Sequence, residues 1–202
     1  YLPAVSYVRI LIAELQIIPS MLCLQNATNP EWIIAAAANL NDVLIDHAHC
    51  EKKAASNALS MVQRYPEKEK VVTKMIFILK EEWEHFEMCF QELQNRGVVF
   101  TRDKGDGYAQ QLALLVSKQE PMRFMDLLLV DALIEARSCE RFSILSKCED
   151  IPQDLRQFYQ SLLASEAGHY RMFTDLAREY FPADEVKARL NELAAAEAEI
   201  VR

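Results

Sequence analysis

Glu81-Glu82-Trp83-Glu84-His85-Phe86 and Ser165-Glu166-Ala167-Gly168-His169 each carry a Glu-x-x-His spacing, and their surroundings decide how the chain is read. Residues three apart on an α-helix share a face, so each motif presents one carboxylate and one imidazole in the same direction. Glu and His fall three apart often by chance, so one such motif means little. Two of them, on two long helical segments, carry more weight.

The segments around the motifs read as helices throughout. Thr28-Asn29-Pro30-Glu31 looks like a helix start, with Asn29 capping and Pro30 in the first helical position. No Gly or Pro then interrupts the chain until Pro66, which predicts one uninterrupted helix of about 35 residues. A second long helix is expected from Glu67 to Arg96, stopped by Gly97. The stretch 97–107 holds three of the four glycines and reads as a connection. A shorter helix should follow over Tyr108–Lys118, then long helices from Pro121 to Cys148 and from Pro152 to Phe181. A helix over Pro3–Leu24 and an amphipathic one from Pro182, with Val186, Leu190 and Leu193 on one side, complete the expectation. No strand pattern competes. The fold class is all-α: a four-helix bundle of two antiparallel hairpins with a crossover, plus peripheral N- and C-terminal helices. One domain over 1–202 is expected, its bundle core at about 30–181.

Hairpin geometry selects partners for the two motifs. Residues equidistant from a hairpin turn lie at the same height. For Glu82, with a turn near Pro66, the partner position is Glu51; for Glu166, with a turn near Asp150–Ile151, it is Glu135. Glu51 to Glu82 and Glu135 to Glu166 both span 31 residues, and Glu135, Glu166 and His169 repeat Glu51, Glu82 and His85 at a single offset of 84. Glu140 lies five residues past Glu135, about 140° around the helix, and points elsewhere. Glu81, Glu84 and Glu87 fail the spacing to His85 and read as a solvated face.

Four carboxylates converging in a helical core without cations would be prohibitively costly, and most would protonate. Two divalent ions balance them. Carboxylate-rich ligation with one imidazole per metal suits iron or manganese, and carboxylate-bridged di-iron bundles use this set. Glu51, Glu82, His85, Glu135, Glu166 and His169 are therefore the expected ligands. His47 and Asp131 sit one turn before Glu51 and Glu135 at the same offset and are candidates to orient the ligands. Ala55 and Cys139 lie one turn after them, where small side chains leave room beside the metals. Cys139 also reads as a buried apolar filler.

Composition narrows the alternatives. Half the residues are apolar (51%), with 4 Gly and 7 Pro, as in a packed helical protein. No apolar run approaches the roughly 20 residues that span a bilayer, and no signal-peptide pattern stands out. Five cysteines without a CxxC pair read as free thiols in a reducing cytoplasm. A net charge of −8 argues against general nucleic-acid binding, so any RNA contact needs a local basic patch.

At this point the motifs look familiar. Asp46-His47-Ala48-His49-Cys50-Glu51-Lys52-Lys53-Ala54-Ala55, Glu81 to Phe86, Ala132-Leu133-Ile134-Glu135-Ala136-Arg137-Ser138-Cys139-Glu140-Arg141-Phe142 and Ser165 to His169 resemble the bacterial tRNA hydroxylase family MiaE. The resemblance covers about 30–181, with all six ligand positions occupied. It implies a ferritin-like fold, two iron ions, O2 as co-substrate and an external electron donor of reductase or ferredoxin type. It further implies hydroxylation of the isopentenyl group of 2-methylthio-N6-isopentenyl adenosine beside the tRNA anticodon. Lys52, Lys53, Arg137, Arg141, Arg102 and Lys104 are the cations near the motifs that could meet tRNA phosphate. A ferritin-like iron store or a peroxide-detoxifying protein shares the ligands and is the competing expectation.

Overall fold

The computed structural model describes residues 22–202, which contain seven helices and no strand. We number them α1 (Pro30–Ala38), α2 (Leu40–Arg64), α3 (Glu69–Asn95), α4 (Gly107–Leu114), α5 (Met122–Lys147), α6 (Gln153–Tyr180) and α7 (Ala183–Ile200). Most of the helix expected over Pro3–Leu24 lies outside the described residues, and Leu22–Leu24 are not helical. The described chain falls into two compact units, one of residues 22–37 with Asp106–Arg202 and the other Ala38–Gly105.

The smaller unit is the α2–α3 hairpin and the connection after it. Its apolar stripes recur at helical spacing: Leu44, Ala48, Ala55, Ala58 and Met61 on α2, and Val71, Met75, Ile78, Cys89 and Leu93 on α3. Glu51 on α2, and Glu82 and His85 on α3, interrupt these stripes with buried polar groups. Gly97 stops α3 with φ of +65°, Val98 N–H donating to the Leu93 carbonyl and Gly97 N–H to that of Gln94. This left-handed closing turn satisfies carbonyls at the helix end and favours glycine.

The 35-residue helix expected before Pro66 is in fact two. Asn39 leaves helical geometry (φ −134°, ψ 43°), and its carbonyl accepts from Val43 N–H to restart the chain as α2. Asn departs from helical geometry at low cost, so neither Gly nor Pro is needed for the break. At the start of α1, Asn29 Oδ1 accepts from Glu31 N–H at 2.9 Å, in keeping with the expected cap.

The larger unit contains the α5–α6 hairpin, with α7 packed on both helices and α4 against α5 and α7. Helix α5 is buried on nearly every side, its core running through Phe124, Leu128, Leu129, Leu133 and Ala136. Asp106 caps α4 by accepting from Tyr108 and Ala109 N–H groups. Val186, Leu190 and Leu193 are the buried side of α7, as their spacing predicts. Among the described residues no helix is long and apolar enough to cross a membrane, and all five cysteines are free thiols.

Candidate metal centre

Each hairpin holds one half of the expected ligand set. In the smaller unit α2 supplies Glu51 and α3 supplies Glu82 and His85, all at most 7% exposed. His85 Nδ1 lies 3.8 Å from Glu51 Oε2. In the larger unit α5 supplies Glu135 and α6 supplies Glu166 and His169, all at most 6% exposed. His169 Nδ1 lies 3.5 Å from Glu135 Oε2. Within each triad one ligand atom per residue falls within 4.8 Å of the other two.

The donor set and spacing fit a metal. Two ligands at about 2.1 Å from one ion stand roughly 3.0–3.4 Å apart in octahedral or tetrahedral geometry. Imidazole–carboxylate separations of 3.5 and 3.8 Å are slightly wider than that and too long for hydrogen bonds. Two buried carboxylates and one imidazole per hairpin would leave excess negative charge without a cation, and a divalent ion neutralises each pair. The Glu-x-x-His spacing and the 31-residue step across each turn produce both triads.

His47 stands one turn before Glu51, buried, and its Nε2 is bonded to Glu51 Oε1. Burial alone would raise the Glu51 pKa. The charge and hydrogen bond of His47, with smaller help from His85 and Glu82, outweigh it and hold the carboxyl well below the usual range. Glu51 is thus kept as an anion with one oxygen engaged by His47. The other ring nitrogen of His47 meets Cys89 Sγ at 3.4 Å. The Cys89 contact was not foreseen, although Cys89 continues the buried stripe of Glu82 and His85 on α3. Asp131 occupies the equivalent turn of α5 and is buried.

Cys139 is buried one turn after Glu135, its thiol directed at the Leu163 carbonyl at 3.8 Å. Burial, and then the charges of Glu135 and Glu140, push its pKa up to about 11. The neutral thiol fits the reading of a filler. Ala55, its counterpart on α2, is also buried.

The six cations near the motifs have different fates. Arg137 is 1% exposed and is not a phosphate contact. It is bonded to Glu140, three residues on, and to the distant Glu197, Thr28 Oγ1 and Asn26 carbonyl, which together fully occupy its donors. Arg141 stacks over Trp32 and Tyr108 at 5.1 and 5.5 Å from their ring centroids. Lys53 Nζ is 3.5 Å from Asp103, and Lys52 Nζ donates to His49 Nδ1 at 2.8 Å. Arg102 and Lys104 are exposed. Glu140, set aside by spacing, is wholly buried in the Arg137 network. Glu84 and Glu87 are exposed and Glu81 half-buried.

Two helical hairpins, each with a Glu facing a Glu-x-x-His, define a carboxylate- and histidine-bearing protein of the ferritin-like all-α class. A solved structure of the same fold is Protein 43 with aldehyde deformylating oxygenase activity from Synechococcus, at TM-score 0.86 and 38% identity, with 89% of each chain covered. The family model of tRNA-(MS[2]IO[6]A)-hydroxylase (MiaE) matches residues 15–202, and the chain belongs to that family. Two relatives are named tRNA 2-(methylsulfanyl)-N(6)-isopentenyladenosine(37) hydroxylase. The one from Pseudomonas putida is 36% identical over 93% of this chain and 91% of its own. The one from Salmonella typhimurium is 29% identical over 92% and 86%.

Proposed function

We propose that this chain is an oxygen-dependent hydroxylase of the isopentenyl group of 2-methylthio-N6-isopentenyl adenosine in tRNA. In this reading Glu51, Glu82, His85, Glu135, Glu166 and His169 together hold two iron ions. The observation that carries it is the repeated triad, one Glu facing a Glu-x-x-His on each hairpin at one offset, in a chain 36% identical to a tRNA hydroxylase across nearly its whole length.

The reaction consumes one O2, two electrons and two protons. It converts a C–H bond into C–OH and releases the second oxygen atom as water. Iron supplies the activation of O2 that no amino-acid side chain can provide. The electrons come from an external donor of reductase or ferredoxin type.

The chain's own residues supply the frame. Buried helices hold the six ligands in fixed rotamers and keep bulk water away. His47 keeps Glu51 ionised and orients its carboxylate, and Asp131 is assigned only an orienting role toward the ligands of its own hairpin. Ala55 and Cys139, small and apolar, leave room beside the ligands.

The test joins metal analysis to turnover. Purified protein should hold about two irons per chain, and with a chemical reductant and O2 should convert isopentenylated tRNA to its hydroxylated nucleoside. Absence of product with iron-loaded protein would refute the assignment, and iron loading far beyond two per chain would favour storage. A second reading has a specific support: the structural relative named for aldehyde deformylating oxygenase activity is 38% identical. An aldehyde substrate run beside the tRNA separates the two oxygenase reactions.

A further inference from the structure

The connection after α3 is fastened to α2 by residues that flank Glu51. His49 Nε2 donates to the Thr101 carbonyl at 2.9 Å, and its ring stacks on Phe100 with centroids 4.3 Å apart. That bond makes Nε2 the protonated nitrogen, leaving Nδ1 to accept from Lys52 Nζ. Four residues on, Lys53 Nζ meets Asp103, whose other oxygen accepts from Gly105 N–H at 2.8 Å. Gly105 has φ of +90°, a turn that glycine alone adopts at little cost. His49 and Lys53 share one face of α2, and Glu51, midway between them, lies about 200° around from each.

Holding Asp103 down leaves its neighbours Arg102 and Lys104 exposed on either side. The Phe100 ring meets Phe86 at 5.8 Å and Phe90 at 5.9 Å, and Lys52 Nζ stands 5.5 Å from its centroid. Phe90 is 37% exposed and Val99 76%. The Lys53–Asp103 pair is neutral, so Lys52, Arg102 and Lys104 give this apolar patch a positive border in a chain of net charge −8. Glu84 precedes Phe86 on α3, while Glu87, which accepts from the Trp83 indole, lies between Phe86 and Phe90 and puts a carboxylate on that side of the patch.

We propose that this surface, residues 97–105 with Phe86 and Phe90, receives a single-stranded loop of RNA. Arg102 and Lys104 take backbone phosphates, and a base stacks on the exposed Phe90 ring. Single-stranded RNA is gripped by aromatic faces beside cations, and a loop already fastened loses little entropy on binding. A second copy of the chain fits less well, since pairing the patch with itself would oppose three cations to three. The inference rests on the tRNA reading above and adds where the RNA is held.

The test is fluorescence anisotropy of a labelled anticodon stem-loop with the iron-loaded full chain at several salt concentrations. Removing two phosphate contacts in R102A/K104A should weaken binding about tenfold and flatten the log–log salt slope by about 1.4, near 0.7 per contact. F90A should weaken binding by about fivefold or more with the slope unchanged. Iron content and helicity report that the variants are folded, and the exposed Arg102 and Lys104 keep the test available if F90A is not. Wild-type affinity in R102A/K104A overturns the inference and leaves the hydroxylase reading intact. No affinity in the unsubstituted protein overturns both. Loss of a dimer in F90A with RNA affinity retained overturns it in favour of a self-association face.

Discussion

Arg137 on α5 grips Glu197 on α7 through two parallel bonds, Nε to Oε1 and Nη2 to Oε2, both 2.9 Å, with the two side chains 1% and 0% exposed. Arg137 lies two residues from Glu135 and so about 200° around the helix from it. Glu140 accepts from Arg137 Nη1 and from Thr28 N–H and Oγ1, and Tyr108 donates to Glu197. The network therefore ties residues 26–28, α4 and α7 to the side of α5 away from the candidate ligand.

Breaking one member of such a buried pair strands a charge. Glu197→Ala should lower stability by about 3–5 kcal/mol, because Arg137 loses its bidentate partner without regaining water. A urea titration checks this: the midpoint should fall with the slope unchanged. A midpoint equal to that of the unsubstituted protein would mean that the pair contributes nothing.

Glu135 and Glu140 are both buried and five residues apart, yet they should respond oppositely. Glu135→Ala should abolish metal binding while leaving helicity largely intact. Glu140→Gln should keep the metal and lower the stability of the metal-free protein by about 1–3 kcal/mol, the cost of weakening a charged buried acceptor. Metal content by elemental analysis and metal-free denaturation separate the two effects. Normal metal content in Glu135→Ala would refute the ligand assignment.

Much of this was legible in the sequence, for identifiable reasons. Glu-x-x-His spacing and equal distances from two turns are local arithmetic, and both triads follow from them. Gly97 announces the end of α3 because few other residues adopt φ of +65°. The break at Asn39 was not legible, since Asn is only mildly unfavourable within a helix. Nor was the fate of Arg137. Its partners Asn26, Thr28 and Glu197 lie 60 to 111 residues away, so a cation beside a motif read as a phosphate contact. The role of His49 was hidden in the same way, since the Thr101 carbonyl that it bonds lies 52 residues along the chain, next to the Phe100 ring on which it stacks.

Thiol reactivity should rank the cysteines. Cys139, buried and with its pKa pushed up to about 11, should resist iodoacetamide at pH 8, where about one thiol in a thousand is ionised. Half-exposed Cys50 and Cys148 should label sooner, as followed by peptide mass spectrometry in native and urea-unfolded protein. Fast native labelling at Cys139 would show that the buried face of α5 around it opens to solvent.

Asp126 and Arg189 join α5 to α7 at a second point and make part of the fold sensitive to acid. The Asp126 side chain is wholly buried, bonded to Arg189 Nε at 2.7 Å and Nη2 at 3.0 Å, and accepts from Ser117 N–H at 2.9 Å. Burial raises its pKa, but the Arg189 and Ser117 bonds outweigh this and lower it below the usual value. A carboxyl whose folded pKa is depressed binds its proton more readily in the unfolded chain. Its contribution is therefore complete above the unfolded value of about 3.9 and is lost as pH falls through the folded value. Asp126→Asn should accordingly lower the melting temperature most at neutral pH, and its gap from the unsubstituted protein should narrow below about pH 4. Melting curves of the metal-free proteins between pH 3 and 7 read this directly, with no contribution from metal release. A gap that stays constant or widens as pH falls would show that the Asp126 carboxylate is not stabilised by Arg189 in the folded chain.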